Sequence, residues 1–205
     1  MVTDNVPHDD EVVGGSVDQR VFLHGVSWEQ LEQVLALRGE CSVPRIAYLR
    51  GELELMSPST GHENIKKKLA RMLEAYAEEL GIELEGIGSW TLKGEVEEAG
   101  AEPDECYSVG PPGALPDIAI EVAWSRGGLD KLAIYRRLGV REVWFWRKGV
   151  IELHQLVDGQ YRRIEQSVVL PAVDVALITS LLGRATQTEA VRSLRAELRR
   201  RAPDG

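Results

Sequence analysis

Apolar residues along the chain alternate between a helical and a strand period, and the changes of period divide it into elements. Leu31, Val34 and Leu35 share one helical face behind Ser27, which is placed to cap, with Gln30 at the capping-box position. The Gly39 region ends that helix. Residues 45–56 then read as two short strands turning near Arg50-Gly51, and in the second Leu53 and Leu55 alternate with Glu52 and Glu54. Ser57 to Gly61 is a turn and cap segment. It opens the longest helical stretch, from about His62 to Leu80, where Ile65, Leu69, Met72, Leu73 and Tyr76 recur at helical spacing before Gly81.

Strand-like segments follow over 83–92 and 105–109. Beyond the Gly110-Pro111-Pro112-Gly113 loop, residues 117–124 alternate Ile118, Ile120, Val122 and Trp124 with Ala119, Glu121 and Ala123, a core strand with one carboxylate on its smaller-residue side. Residues 129–138 read as a helix ended by Gly139. Residues 143–146, 150–156 and 161–164 read as strands joined by turns at Lys148-Gly149 and Asp158-Gly159. An apolar segment over 170–182 reads as a strand or short helix. The order predicts an α/β domain, a mixed β-sheet flanked by helices. It divides the chain into a flexible arm over 1–20, a domain over 21–183 and a charged helical tail over 184–205. No G-x-G-x-x-G follows a strand and no phosphate-binding G-x-x-x-x-G-K-[ST] is present, which argues against dinucleotide and P-loop nucleotide chemistry.

At 205 residues the chain has room for one well-filled core. Its formal charge of -9 opposes a broad DNA-holding surface, because non-specific affinity comes from neutralising phosphates. Local basic runs at Lys66-Lys67-Lys68-Arg71, at Arg136-Arg137-Arg141 and over 192–201 can each line a positive strip or simply be a solvated helix face. Cys41 and Cys106 have no zinc-like spacing with each other or with His8, His24, His62 and His154. The polar, acidic start and the absence of any run of roughly 18 apolar residues lead to the expectation of a cytoplasmic protein.

Three carboxylates stand in costly places. Asp104 follows Pro103 at the entrance of a strand, Glu121 is embedded in the most core-like strand, and Glu52 opens a strand. An ionised carboxylate so placed costs several kcal/mol, roughly, unless it is paired, hydrogen-bonded or bound to metal. Hard oxygen donors of this kind suit Mg²⁺ or Mn²⁺. Cations held by Asp104 and Glu121 would polarise a phosphate and acidify water, and Lys131, on the helix after the Glu121 strand, is the natural ammonium to offset developing charge. Each residue also has a plainer role. Glu121 can pair with Arg126 or Lys131, Asp104 can cap a turn, and Glu52 can face solvent. His62 can be an ordinary first-turn residue or a ring that touches phosphate or a coordinated water.

These residues also resemble a known pattern. Gly51-Glu52-Leu53 leading to Met56-Ser57-Pro58, Gly61-His62, Glu102-Pro103-Asp104, Ile120-Glu121-Val122, Asp130-Lys131 through Tyr135, Gly139-Val140 and Trp144 resemble, in order and spacing, the Uma2 family, also called DUF820. That family is one of restriction-endonuclease-type proteins with a PD-(D/E)XK core. The resemblance covers about Trp28 to Leu182. It implies that Asp104 and Glu121 are the metal-binding carboxylates and that Glu52 is the acid of the first segment. Ala123 occupies the usual E-x-K lysine position, and the resemblance implies that this role passes to Lys131. Residues 123–126, Ala-Trp-Ser-Arg, depart from the family's common Ser-Pro-Ser, and residues 95–102 are markedly acidic.

The expectation is therefore a Mg²⁺- or Mn²⁺-dependent endonuclease acting on DNA. The alternatives are a silent nuclease-fold binding module and a metal-dependent hydrolase of small phosphate esters. A homodimer is a further expectation, with Leu153, Leu156, Ile164 and Leu170 either at its interface or in the core.

Overall fold

The computed structural model describes residues 17–123 and 127–201. Residues 1–16 of the arm predicted over 1–20, Trp124 as the end of its strand, Arg126 as a partner for Glu121 and residues 202–205 of the tail predicted over 184–205 lie outside the described residues. Within them the chain runs β1 (Gln19–Leu23), α1 (Trp28–Arg38), β2 (Arg45–Leu49), β3 (Glu52–Ser57), α2 (Thr60–Leu80), β4 (Leu84–Gly86), β5 (Leu92–Gly94) and β6 (Ala99–Ala101). It continues through β7 (Glu105–Val109), β8 (Ile118–Val122), α3 (Lys131–Leu138), β9 (Glu142–Arg147), β10 (Val150–Val157), β11 (Gln160–Ile164), α4 (Val175–Leu181) and α5 (Gln187–Arg201).

Local chemistry sets these boundaries. Ser27 and Gln30 form a reciprocal capping box at α1. Ser59 accepts the His62 N–H at the start of α2, and Gly81, in the left-handed region, ends it. Asp130 caps α3 by accepting from Ala133. The β2–β3 turn places Arg50 and Gly51 at positive φ (48° and 88°), as the two central residues of a tight hairpin require.

The strands form two sheets where the hydrophobic pattern predicts one. The first, in order β1-β3-β2-β6-β5, is antiparallel throughout. The second, in order β11-β10-β9-β8-β7-β4, is mixed, because α3 carries the chain over from β8 to a parallel β9. The β2–β3 hairpin gains its own sheet by pairing with β1 and β6. The sequence hides both strands: β1 falls partly in the predicted arm, and Ala99-Gly100-Ala101 follows an acidic stretch with no alternation.

The central strands β8 and β9 are buried on both faces. On one face Ile118, Ile120 and Val122 pack with Trp144 and Trp146 beneath α2, α4 and α5. On the other, Ala119, Val143 and Phe145 meet α3 and strands of the first sheet. Each such large apolar side chain contributes about 1.5–3 kcal/mol relative to exposure. Leu153 and Leu170 are part of this core, with Ile164 packed against it.

The charged C-terminal helix docks within the chain. Ala190 and Leu194 of α5 are buried, and Arg195 reaches Glu78 at 2.5 Å and Glu79 at 3.0 Å on α2. Arg199, Arg200 and Arg201 pair with Glu79, Glu197 and Asp174, so that basic run is largely neutralised by its neighbours. No helix among the described residues is long and apolar enough to cross a membrane.

Candidate active site

Glu121 sits on the α3-facing side of β8, flanked by the small residues Ala119 and Ala123. Those short neighbours leave room for two long side chains from α3. Lys131 Nζ lies 3.1 Å from Glu121 Oε1, and the Tyr135 hydroxyl donates a short hydrogen bond to the same oxygen. Burial raises the Glu121 carboxyl and the Lys131 ammonium lowers it. The charge of Asp104 raises it again, and the net position is above the ordinary value.

Asp104 stands where the β7–β8 ladder ends. Its backbone N–H donates to Ile120 O at 3.0 Å, and its Oδ2 accepts the Val122 N–H at 2.7 Å. The side chain thus replaces a backbone acceptor at the end of the ladder, while Oδ1 points elsewhere. His62 Nε2 lies 2.9 Å and Arg45 Nη1 3.3 Å from Oδ1. Neither His62 Nε2 nor Asp104 Oδ1 completes an aligned hydrogen bond, so the approach is one of charge. Burial favours the neutral acid, but His62, Arg45 and the Val122 N–H together hold Asp104 below its ordinary value.

His62 is enclosed between two carboxylates. Its Nδ1 is 3.2 Å from Asp18 Oδ2, and Asp18 Oδ1 accepts the Ser59 N–H at 2.8 Å. Burial by itself would push the imidazole down; attraction to Asp104 and Asp18 more than offsets it and lifts the pKa to about 9. Flanked by two carboxylates, His62 is thereby held toward its cationic form. Asp18, 44 positions away, carries no local signal that would have marked it.

The two glutamates of β3 part company. Glu52 is brought to the solvent-facing start of the strand, where it makes a short contact with His24 and does not line the cavity that holds Glu121. Glu54, two residues on, is buried and lines that cavity. Its Oε1 accepts from Arg20 Nε at 2.8 Å and its Oε2 accepts the Leu129 N–H at 2.7 Å. A Cβ on Gly128 would stand 3.2 Å from Oε2, at a φ of +120° that side chains rarely adopt, so a glycine allows this close approach.

The cavity measures about 800 Å³ and joins Glu121, Lys131, His62 and Glu54 to the β9–β10 turn. Its far wall carries Arg147, Lys148 and Arg163, a cationic surface absent from the basic runs legible in the sequence. Another buried carboxylate, Glu142, plays no part here: both its oxygens are occupied by Trp144, Ser167 and the N–H groups of Val168 and Val169.

The structure thus brings Asp104, Glu121, Lys131 and His62 together and leaves Glu52 outside. The profile of the Uma2 family, described as "Putative restriction endonuclease", matches residues 28–189. The chain belongs to the Uma2 family. It matches no curated protein. In this Uma2 protein Asp18 and Arg20 precede the matched region, so two of the side chains around the site come from outside it.

Among the described residues, no group of three or more His, Cys, Asp and Glu side chains is arranged to hold a metal ion. Two hard-oxygen donors remain, Asp104 just ahead of β7 and Glu121 on β8. Oδ1 of Asp104 is buried without an aligned hydrogen bond, and Asp104 and Glu121 are close enough to repel. This donor set suits a cation of the Mg²⁺ type, which keeps several waters and takes one or two carboxylates together with substrate phosphate.

Proposed function

We propose that this Uma2 protein is a nuclease of PD-(D/E)XK type that hydrolyses DNA phosphodiester bonds with Mg²⁺ or Mn²⁺. The observation that carries the reading is the pairing of Lys131 with Glu121 at 3.1 Å on a cavity wall, with the like charge of Asp104 beside them. Asp104 and Glu121 would hold the cation, which supplies positive charge at the phosphate and makes water more acidic.

The chain's own groups prepare that chemistry. Tyr135 fixes Glu121 Oε1 by donating its hydroxyl proton. His62 and Arg45 keep Asp104 ionised, as a ligand must be. The Lys131 ammonium is positioned to offset charge developing on the phosphoryl oxygens. It stands on α3 in place of the strand lysine whose usual position is held by Ala123. The test is cleavage of plasmid and single-stranded DNA by purified protein in Mg²⁺ or Mn²⁺. Cleavage is expected from the native chain and not from Asp104→Ala or Glu121→Ala; activity unchanged in both variants would sink the assignment.

A second reading, a nuclease-fold protein that binds without cutting, is favoured by one observation: Lys131 and Tyr135 already occupy Glu121 Oε1, and His62 and Arg45 crowd Asp104. Calorimetry with Mn²⁺ at millimolar concentration separates the two. Heat of binding that disappears in Glu121→Ala supports the nuclease, and no heat supports the silent binder.

A further inference from the structure

The side of the second sheet that carries Glu121 continues across three more strands. Glu121 is paired with Phe145 on β9, Phe145 with Glu152 on β10, and on β11 Arg163 lies opposite His154, two residues from Glu152. With alternating side chains, Glu121, Phe145, Glu152, His154 and Arg163 share one face. Three inter-strand spacings of about 4.8 Å put the β11 end of this row roughly 14 Å from Glu121. Arg147, two residues beyond Phe145, and Lys148 in the adjoining turn border the same cavity.

Two of these cations are held by neighbours, and the three are in surplus. The Arg147 guanidinium stacks over the Phe145 ring, 4.3 Å from its centroid. Arg147 and Arg163 share a single carboxylate, Glu152, at 3.5 Å and 3.3 Å. Lys148 sits at positive φ in a two-residue turn and has no ion-pair partner among the described residues. Three cations against one anion leave a surplus of two positive charges on this wall, in a chain whose formal charge is -9. The same wall bears on His154: burial lowers its pKa, the Glu152 charge opposes that, and Arg147 and Arg163 add to the lowering, so the net position is below the ordinary value.

We propose that Arg147, Lys148 and Arg163 form a phosphate track for a single nucleic-acid strand, holding phosphates that flank the one at Glu121 and Lys131. This rests on the reading of the Glu121–Lys131 pair as the reacting centre. A lone phosphate ester cannot span roughly 14 Å, so the track serves a polymer. A single strand fits better than a duplex because the surplus charge lines a concavity, while the net negative charge of the remaining chain repels a wide phosphate surface.

The test is fluorescence anisotropy of a labelled single-stranded DNA oligonucleotide with the full chain in EDTA, across a range of NaCl, so that binding is read without cleavage. The native chain is expected to bind more weakly as salt rises. Lys148→Gln and Arg163→Gln should each weaken binding and reduce the slope of log affinity against log salt by roughly 0.7, the value for one single-strand phosphate contact. Lys148→Gln, on an exposed turn, serves as the variant whose fold is least at risk, and an unchanged melting temperature confirms it. The track is overturned if the native chain does not bind, if both variants keep the native affinity and slope, or if a duplex of the same sequence binds as tightly. Binding that depends on these residues in a protein that cuts nothing in Mg²⁺ or Mn²⁺ supports the track and removes the nuclease reading. Cleavage that ignores them does the reverse.

Discussion

The carboxylate of Glu54 accepts the backbone N–H of Leu129 at 2.7 Å, tying strand β3 to the segment that leads into Lys131. The link crosses from one sheet to the helix cap of the other. It is completed by Arg20, whose side chain is 14% exposed. Removing Glu54 would leave a largely buried guanidinium short of one partner and a backbone donor unsatisfied. Glu54→Ala should destabilise the protein by about 2–4 kcal/mol, and Glu54→Gln by less, since its amide oxygen still accepts one bond. Urea unfolding measures both, and equal stability in all three proteins would refute the tie.

The imidazole of His62 gives a pH prediction with a definite sign. Its folded pKa is raised to about 9 from an ordinary 6.5. The stability it contributes is therefore fully present below pH 6.5 and is lost as pH rises through about 9. A shift of that size corresponds to about 3 kcal/mol. Denaturation of the native chain between pH 6 and 10 should show this decline, and His62→Gln should flatten it. A native profile level across the range would show that His62 is not charged in the folded state.

Much of the frame was legible because local chemistry decides it. The Ser27–Gln30 capping box, the Arg50-Gly51 turn, the end of α2 at Gly81 and the alternation around Glu121 all appear where short-range signals place them. Asp104, Glu121 and Lys131 could be proposed because carboxylates in or beside apolar strands are costly without a partner. Glu52 and Glu54 could not be separated in this way. They share one face of β3, and which of them lies deep depends on Arg20 and on the Gly128–Leu129 approach, contacts made across 34 and 75 positions. The same holds for Asp18 against His62 and for the cationic wall, where sheet pairing through β10 brings Arg163 of β11 to the side of Arg147 and Lys148 at the β9–β10 turn.

Lys131 should matter to turnover more than to affinity. Its side chain is 18% exposed and its ammonium contacts Glu121, so its contribution is to charge at the reacting centre. If the nuclease reading holds, Lys131→Ala should lower kcat by about 10²-fold or more with KM little changed, by analogy with the loss of a single transition-state donor. Lys131→Arg should restore only part of it, because a planar guanidinium does not reproduce a point charge on a flexible stem. Steady-state cleavage of a labelled oligonucleotide reads both parameters. A rise in KM alone would make Lys131 a substrate-binding group.

Asp18 offers the most direct test of the charge chain behind the site. Its Oδ2 faces His62 Nδ1 at 3.2 Å while Asp104 Oδ1 faces Nε2 at 2.9 Å, so the imidazolium is stabilised from both sides against the cost of burial. Asp18→Asn removes one of the two charges and keeps the shape. The His62 pKa should then fall from about 9 toward its ordinary value, since burial now opposes only Asp104. A neutral imidazole would in turn relieve less of the Asp104 charge, raising the pH at which that carboxylate protonates. The first shift is read from the His62 ring resonances by NMR titration, and the second from the acid limb of any cleavage profile. Because Asp18 lies ahead of residues 28–189, a positive result would place part of the site's electrostatics outside the segment that defines the family. A His62 titration identical in the two proteins would mean that Asp104 alone holds the proton in place.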